Sequence, residues 1–309
     1  MQTGWTLSRR FDHQGRSIAW DVLGAGEPVV LVHGTPFSSY VWRRIAPELA
    51  RDRAVYLFDL LGYGQSEQPD ADVSLGVQNG VLAALLDHWG VDRPKVLAHD
   101  FGGATALRAH LLDGCDYERL LLIDPVAVRP WGSPFVQHVR DHEAAFTGVP
   151  DYLQRAILRA YIRGAAHRPM TDAELEPYIA PWLGPVGQPA FYRQIAQMDL
   201  AHTDEVQDRY AEVRCPVRLL WGEADDWIPV ERGGELAALI PGCEFSTIPD
   251  AGHLVQEDAP EAIVAAALRF FGSAWCLSPS RHLAGRGGED GSALMQYRTN
   301  RLDAHRGRD

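Results

Sequence analysis

Lys95-Val96-Leu97-Ala98-His99-Asp100-Phe101-Gly102-Gly103-Ala104 passes from an apolar run through an acid and two glycines into a helical pattern that continues over Leu107, Leu111 and Leu112. The order reads as a strand, a sharp turn and a helix, with the Asp100 carboxylate at the apex. The glycines that follow let the backbones of strand and helix approach closely. Two roles fit such an acid. It is either an N-cap, whose oxygen accepts from free amides of the first helical turn, or a nucleophile presented on a tight bend.

Short apolar segments recur on both sides of this stretch: Thr6 to Phe11, Ile18 to Leu23, Val29 to Val32, Ala54 to Phe58, Leu120 to Ile123, Val217 to Trp221 and Phe245 to Ile248, with Val96 to Ala98 among them. The first two lie close together, and strand then alternates with helix. Runs as continuous as Pro28 to Val32 and Arg119 to Ile123 suit central strands of a mostly parallel sheet, buried on both faces, with the early pair as an antiparallel edge. From about Arg129 to Glu205 the alternation stops. That segment is helical in flavour and rich in aromatics: Trp131, Tyr152, Tyr161, Tyr178, Trp182 and Tyr192. Residues 277–309 are polar, glycine-rich and charge-mixed. They bury too little to offset ordering entropy, so they are expected to be a disordered tail.

Composition narrows the function. A chain of 309 residues that is 46% apolar can bury a large single core. A formal charge of -12 without a Lys/Arg-rich stripe argues against nucleic acids and anionic membranes, and leaves small uncharged substrates open. No signal-like N-terminus or membrane-length apolar run is present, so a soluble cytoplasmic protein is expected. Cys115, Cys215, Cys243 and Cys276 are too scattered for a ligand motif. Reduced thiols are expected, with neither a disulfide framework nor a metal.

Three further stretches carry chemistry. His33-Gly34-Thr35-Pro36-Phe37-Ser38 follows the third strand and marks a turn. Gly252-His253-Leu254 follows the last strand and puts an imidazole before the final helix, where it can activate water. Two acids stand after intervening strands. Asp225 lies in Gly222-Glu223-Ala224-Asp225-Asp226-Trp227-Ile228-Pro229, and Asp124 in Ile123-Asp124-Pro125.

Together these residues resemble the haloalkane dehalogenase and epoxide hydrolase branch of the α/β-hydrolases over about residues 5 to 272, with the 95–104 stretch as the nucleophile elbow. His33 to Arg43, Asp59-Leu60-Leu61-Gly62-Tyr63-Gly64-Gln65-Ser66 and Gly252 to Asp258 are similar to dehalogenases, and His99 to Gly103 is as close to epoxide hydrolases. The resemblance implies an eight-stranded, mostly parallel sheet flanked by helices. Residues 1–128 and 206–276 would form the core, and 129–205 a helical cap after the sixth strand. It also implies Asp100 as nucleophile, His253 as general base, and Asp225, alternatively Asp124, as the orienting acid. The amides of Thr35 and Phe101 would form an oxyanion hole. Asp226 is expected to be solvated.

An aspartate at the elbow shifts the implied chemistry from acyl transfer to a covalent alkyl ester formed at saturated carbon. Dehalogenases usually carry Asn after the His-Gly pair and Trp after the nucleophile as halide donors, whereas Thr35 and Phe101 stand here. A halide would then need Trp131 or Trp182. Ring opening instead needs cap tyrosines, offered by Tyr152, Tyr161, Tyr178 and Tyr192. Phe101, where fluoroacetate dehalogenases place Arg, favours a neutral apolar substrate. The leading expectation is carbon–halogen hydrolysis, the alternative an epoxide hydrolase giving a diol. A hydrolase of esters or carbon–carbon bonds, and a non-catalytic receptor on the same fold, are further alternatives. No cofactor is expected, nor any partner beyond substrate and water, in a monomer or homodimer.

Overall fold

The computed structural model describes residues 4–272. The expected tail at 277–309 and Cys276 lie outside the described residues. Eight strands form one sheet: β1 (Arg9–His13), β2 (Arg16–Leu23), β3 (Glu27–Val32), β4 (Arg53–Phe58), β5 (Lys95–His99), β6 (Arg119–Ile123), β7 (Val217–Gly222) and β8 (Glu244–Ile248). Their spatial order is β1-β2-β4-β3-β5-β6-β7-β8. The first two pairings, β1 with β2 and β2 with β4, are antiparallel. All the others are parallel. Every expected strand is present, but the first begins at Arg9 rather than Thr6. Upstream of it the Leu7 amide donates to the Gln65 side chain and the Ser8 amide to Asp21, so side chains replace a strand partner there.

Every residue of β5 and β6 is buried, as central parallel strands require. The helices along the chain are α1 (Ala46–Leu49), α2 (Leu75–Trp89), α3 (Phe101–Leu112), α4 (Pro134–Thr147), α5 (Asp151–Arg163), α6 (Asp172–Ile179), α7 (Gly184–Ala196), α8 (Ala201–Gln207), α9 (Glu231–Leu239), α10 (Val255–Asp258) and α11 (Pro260–Gly272). None is long and apolar enough to cross a membrane. Cys115, Cys215 and Cys243 are all unpaired thiols.

The turn from β5 into α3 leaves no room for a side chain at its second helical residue. A Cβ on Gly102 would lie 2.3 Å from the Val32 carbonyl oxygen of the neighbouring strand. Gly102→Ala should therefore cost about 3 kcal/mol through overpacking, read as a lower urea midpoint at unchanged slope.

Helices α4 to α8 are all inserted between β6 and β7, and α4 packs along α7. One edge of the insertion is fastened to the core. The amides of His167 and Arg168 donate to the Asp258 carboxylate at 2.8 and 3.0 Å, and Leu254 donates to the Ala165 carbonyl at 2.7 Å. Beside them the buried Glu257 takes Arg43 at 2.5 Å and Arg168 at 2.9 Å, with Arg44 and the Tyr178 hydroxyl also bonded to it. Burial opposes the Glu257 charge, but Arg43 and Tyr178 hold its carboxyl below the usual range.

Candidate active site

The carboxyl ends of parallel strands share one sheet edge, and the loops leaving β3, β5, β6, β7 and β8 bring Thr35, Asp100, Asp124, Asp225 and His253 to it. Asp100 sits at φ 52, ψ -119, a conformation costly for a residue with a Cβ. Backbone bonds hold it there: its amide donates to the Ile123 carbonyl at 3.1 Å, and its carbonyl accepts from Gly103 at 2.9 Å and Val126 at 3.2 Å. The N-cap role is not the one adopted, because the Asp100 side chain makes no hydrogen bond to the start of α3. Its Oδ1 instead accepts from the Thr35 amide at 2.7 Å, and its Oδ2 lies 3.4 Å from His253 Nε2. Gly34 permits this approach, since a Cβ there would stand 2.4 Å from Asp100 Oδ1.

His253 Nδ1 donates to Asp225 Oδ2 at 2.8 Å. Asp225 is itself fixed, its Oδ1 accepting the amides of Trp227 and Ile228 at 2.8 and 2.9 Å. Trp227 stacks on the imidazole at 5.0 Å, and His99 Nε2 donates to the His253 carbonyl at 2.9 Å. Burial disfavours a charged His253, yet the Asp225 and Asp100 carboxylates outweigh it and hold the ring proton well above the usual imidazole range. Burial, then the charge on His253, pushes His99 down to about 3, so that ring is neutral.

Asp124, the alternative acid, makes no bond to His253. Its Oδ1 accepts the Gly222 amide at 2.9 Å, and burial followed by the Asp225 charge drives its acid well above the carboxylate range. His99, Asp124 and His253 each offer a potential ligand atom within 4.8 Å of the others. Asp124 favours its neutral acid and His99 its neutral ring, so the charge in this group is carried by His253, which faces the Asp225 and Asp100 carboxylates. Asp226 is exposed, as expected.

Asp100 lines a mainly apolar cleft together with Thr35, Phe101, Trp131, Tyr161 and Trp227, among others. The aromatics of the insertion divide sharply. Tyr161 reaches the cleft, where burial and then the Asp100 charge keep its hydroxyl protonated. Trp131 also lines it, but its indole N–H already donates to Thr203 at 2.8 Å. The other four correct the expectation. Tyr152 is 73% exposed on the outer surface of α5. Trp182 is buried, with its N–H given to the Pro36 carbonyl at 2.8 Å. The hydroxyls of Tyr178 and Tyr192 are spent on Glu257 and Gln154.

One residue of this region escaped the sequence reading. Gln194 on α7 is buried, and its Oε1 accepts the Thr35 hydroxyl at 2.6 Å and the Tyr63 hydroxyl at 3.0 Å. A signal was there. Gln194 occupies an inward position in register with Phe191, Ile195 and Met198, where an amide is out of place unless it is bonded. The role of Asp59 is likewise local, since its two oxygens accept the amides of Ser39 and Gln65 and tie the two loops beside Thr35 together.

The model of the alpha/beta hydrolase family matches residues 29–267, and the chain belongs to that family. Its relatives include a soluble epoxide hydrolase of Corynebacterium sp. (strain C12), 27% identical over 80% of this chain and 91% of its own length. A haloalkane dehalogenase of Mesorhizobium japonicum is 29% identical over 78% of this chain and 83% of its own. A crystal structure of an alpha/beta hydrolase fold protein from Burkholderia ambifaria is 59% identical, with a TM-score of 0.84 over 86% of this chain and 98% of that one.

Proposed function

We propose that this hydrolase works through a covalent alkyl-enzyme ester on Asp100, and that its substrate is a small, neutral, apolar epoxide. The observation that carries the covalent reading is the splitting of the Asp100 carboxylate. Oδ1 is held by the Thr35 amide, whereas Oδ2 lies 3.4 Å from His253 Nε2, and Asp100 lines the cleft. Oδ2 attacks the electrophilic carbon and the carbon–oxygen bond of the ring breaks, with the released oxygen taking a proton from Tyr161. Loss of the Asp100 charge on esterification removes one of the two anions that hold the His253 proton. The imidazole then gives up its Nε2 proton, which through solvent restores the Tyr161 phenol, and acts as a base. It takes a proton from water, hydroxide adds to the Asp100 carboxyl carbon, and the adduct collapses by breaking the bond from that carbon to Oδ2, with His253 returning the proton to the departing alkoxide as the diol leaves. Oδ1 carries the oxyanion against the Thr35 amide and the amide of Phe101, which opens α3 and so has no acceptor within its helix. Asp225 keeps the ring oriented throughout.

Ring opening is favoured over carbon–halogen hydrolysis by where the donors point. The indole N–H groups of Trp131 and Trp182 are already bonded, whereas Tyr161 brings to the cleft lining a phenol that makes no hydrogen bond among the described residues. The dehalogenase relative at 29% identity favours carbon–halogen hydrolysis as the second reading. Incubation with panels of short terminal epoxides and of short haloalkanes, scoring diol and halide, separates the two. Diol formation that falls about 10²-fold in Tyr161→Phe is expected. Halide release with no diol, indifferent to Tyr161, overturns the epoxide reading.

A further inference from the structure

Gln194 presents a donor that none of the described residues uses. Its Oε1 is the acceptor for both the Thr35 and Tyr63 hydroxyls, whereas its Nε2 is enclosed and has no hydrogen-bond partner. The orientation of the amide is fixed by its neighbours. Turned over, it would leave its own carbonyl without the two donors it now accepts and strand at least one of the two hydroxyl protons, although the Thr35 and Tyr63 hydroxyls also meet each other. Its place is fixed too. Thr35 binds Asp100 Oδ1 through its amide and Gln194 through its hydroxyl, so a single residue spans from the attacking carboxylate to the glutamine. Tyr63, the second anchor, lies close enough to feel the Asp100 charge, and Tyr161 feels both Asp100 and Tyr63.

We infer that Gln194 Nε2 holds the oxygen that departs from the substrate carbon, acting with Tyr161 as a mixed amide and phenol pair. This rests on the covalent epoxide reading. The two donors divide the work. An amide has no proton to give at neutral pH but supplies a fixed N–H to an oxygen that gains negative charge as the ring opens. The phenol supplies the proton that leaves the product as an alcohol. The pair selects an electrophile whose leaving atom is a compact oxygen acceptor still tethered to the reacting carbon, which describes an oxirane. It serves ester formation alone, because once the oxygen is a hydroxyl the later attack of water develops its charge on Asp100 Oδ1, next to Thr35.

The test uses the full chain with Gln194→Glu and Gln194→Met. Glutamate keeps an acceptor for both hydroxyls and removes the N–H, and methionine keeps the length without polarity. Single-turnover rates of ester formation and ester hydrolysis are followed by intact mass with a short terminal epoxide, alongside thermal melting. Formation should slow about 10²-fold in both variants while hydrolysis of the ester stays within about threefold of the parent. Formation at the parental rate in well-folded Gln194→Glu, or equal slowing of both steps, overturns the role of Gln194. An absence of any ester on the parent and on His253→Gln overturns the covalent reading instead, so the two failures are distinguishable.

Discussion

His253→Gln should stop turnover after the first chemical step, with steady-state rate reduced about 10³-fold or more and the covalent intermediate accumulating on Asp100. The reason lies in the separate surroundings of the two carboxylate oxygens. On the proposed mechanism, attack by Oδ2 needs no proton from the imidazole, whereas opening the ester needs a base beside the carboxyl carbon, and the imidazole lies 3.4 Å from Oδ2. Intact-protein mass reads both the trapping and the substrate. An epoxide adds its whole mass, because ring opening expels nothing, whereas a haloalkane adds its alkyl group less one hydrogen. An unchanged mass in a folded variant that still binds substrate would mean that water attacks the substrate directly.

The second large effect separates two acids that flank the same edge. Asp225→Asn should lower turnover by about 10²- to 10⁴-fold, since it removes the anion that sets the His253 tautomer and supports its charge. Asp124→Asn should stay within about threefold, because a carboxyl that already favours its neutral form is replaced by a neutral amide that can still accept from Gly222. The stability effects should run the other way. The raised acid of Asp124 costs folding stability as pH climbs above the unfolded value, so Asp124→Asn should melt no lower than the parent at pH 8. Comparable losses of turnover in both variants would remove the distinction between the acids.

The strands were legible because their apolar runs are nearly uninterrupted, and the elbow because Asp100 is followed by Gly102 and Gly103 between such a run and a helical pattern. His253 and Asp225 were legible from chain order and from their loops after β8 and β7. What local sequence could not carry was direction within the insertion. Tyr152, Tyr161, Tyr178 and Tyr192 are alike as residue types, and only the packing of α4 to α7 sends one to the cleft, one to solvent and two hydroxyls to buried partners. Gln194 was missed for the same reason. Its worth depends on hydroxyls contributed by Thr35 and Tyr63, more than a hundred residues away.

The Glu257 cluster has a kinetic consequence. Three guanidinium groups and a phenol rivet one rim of the roof to its walls, so molecules cannot come and go on that side without exposing an unpaired buried anion. None of the groups in that rivet lines the cleft, whereas Gly132 and Ser133, just before α4, do. Added bulk at Ser133 should therefore slow exchange with the cleft more than added bulk beside Glu257 does.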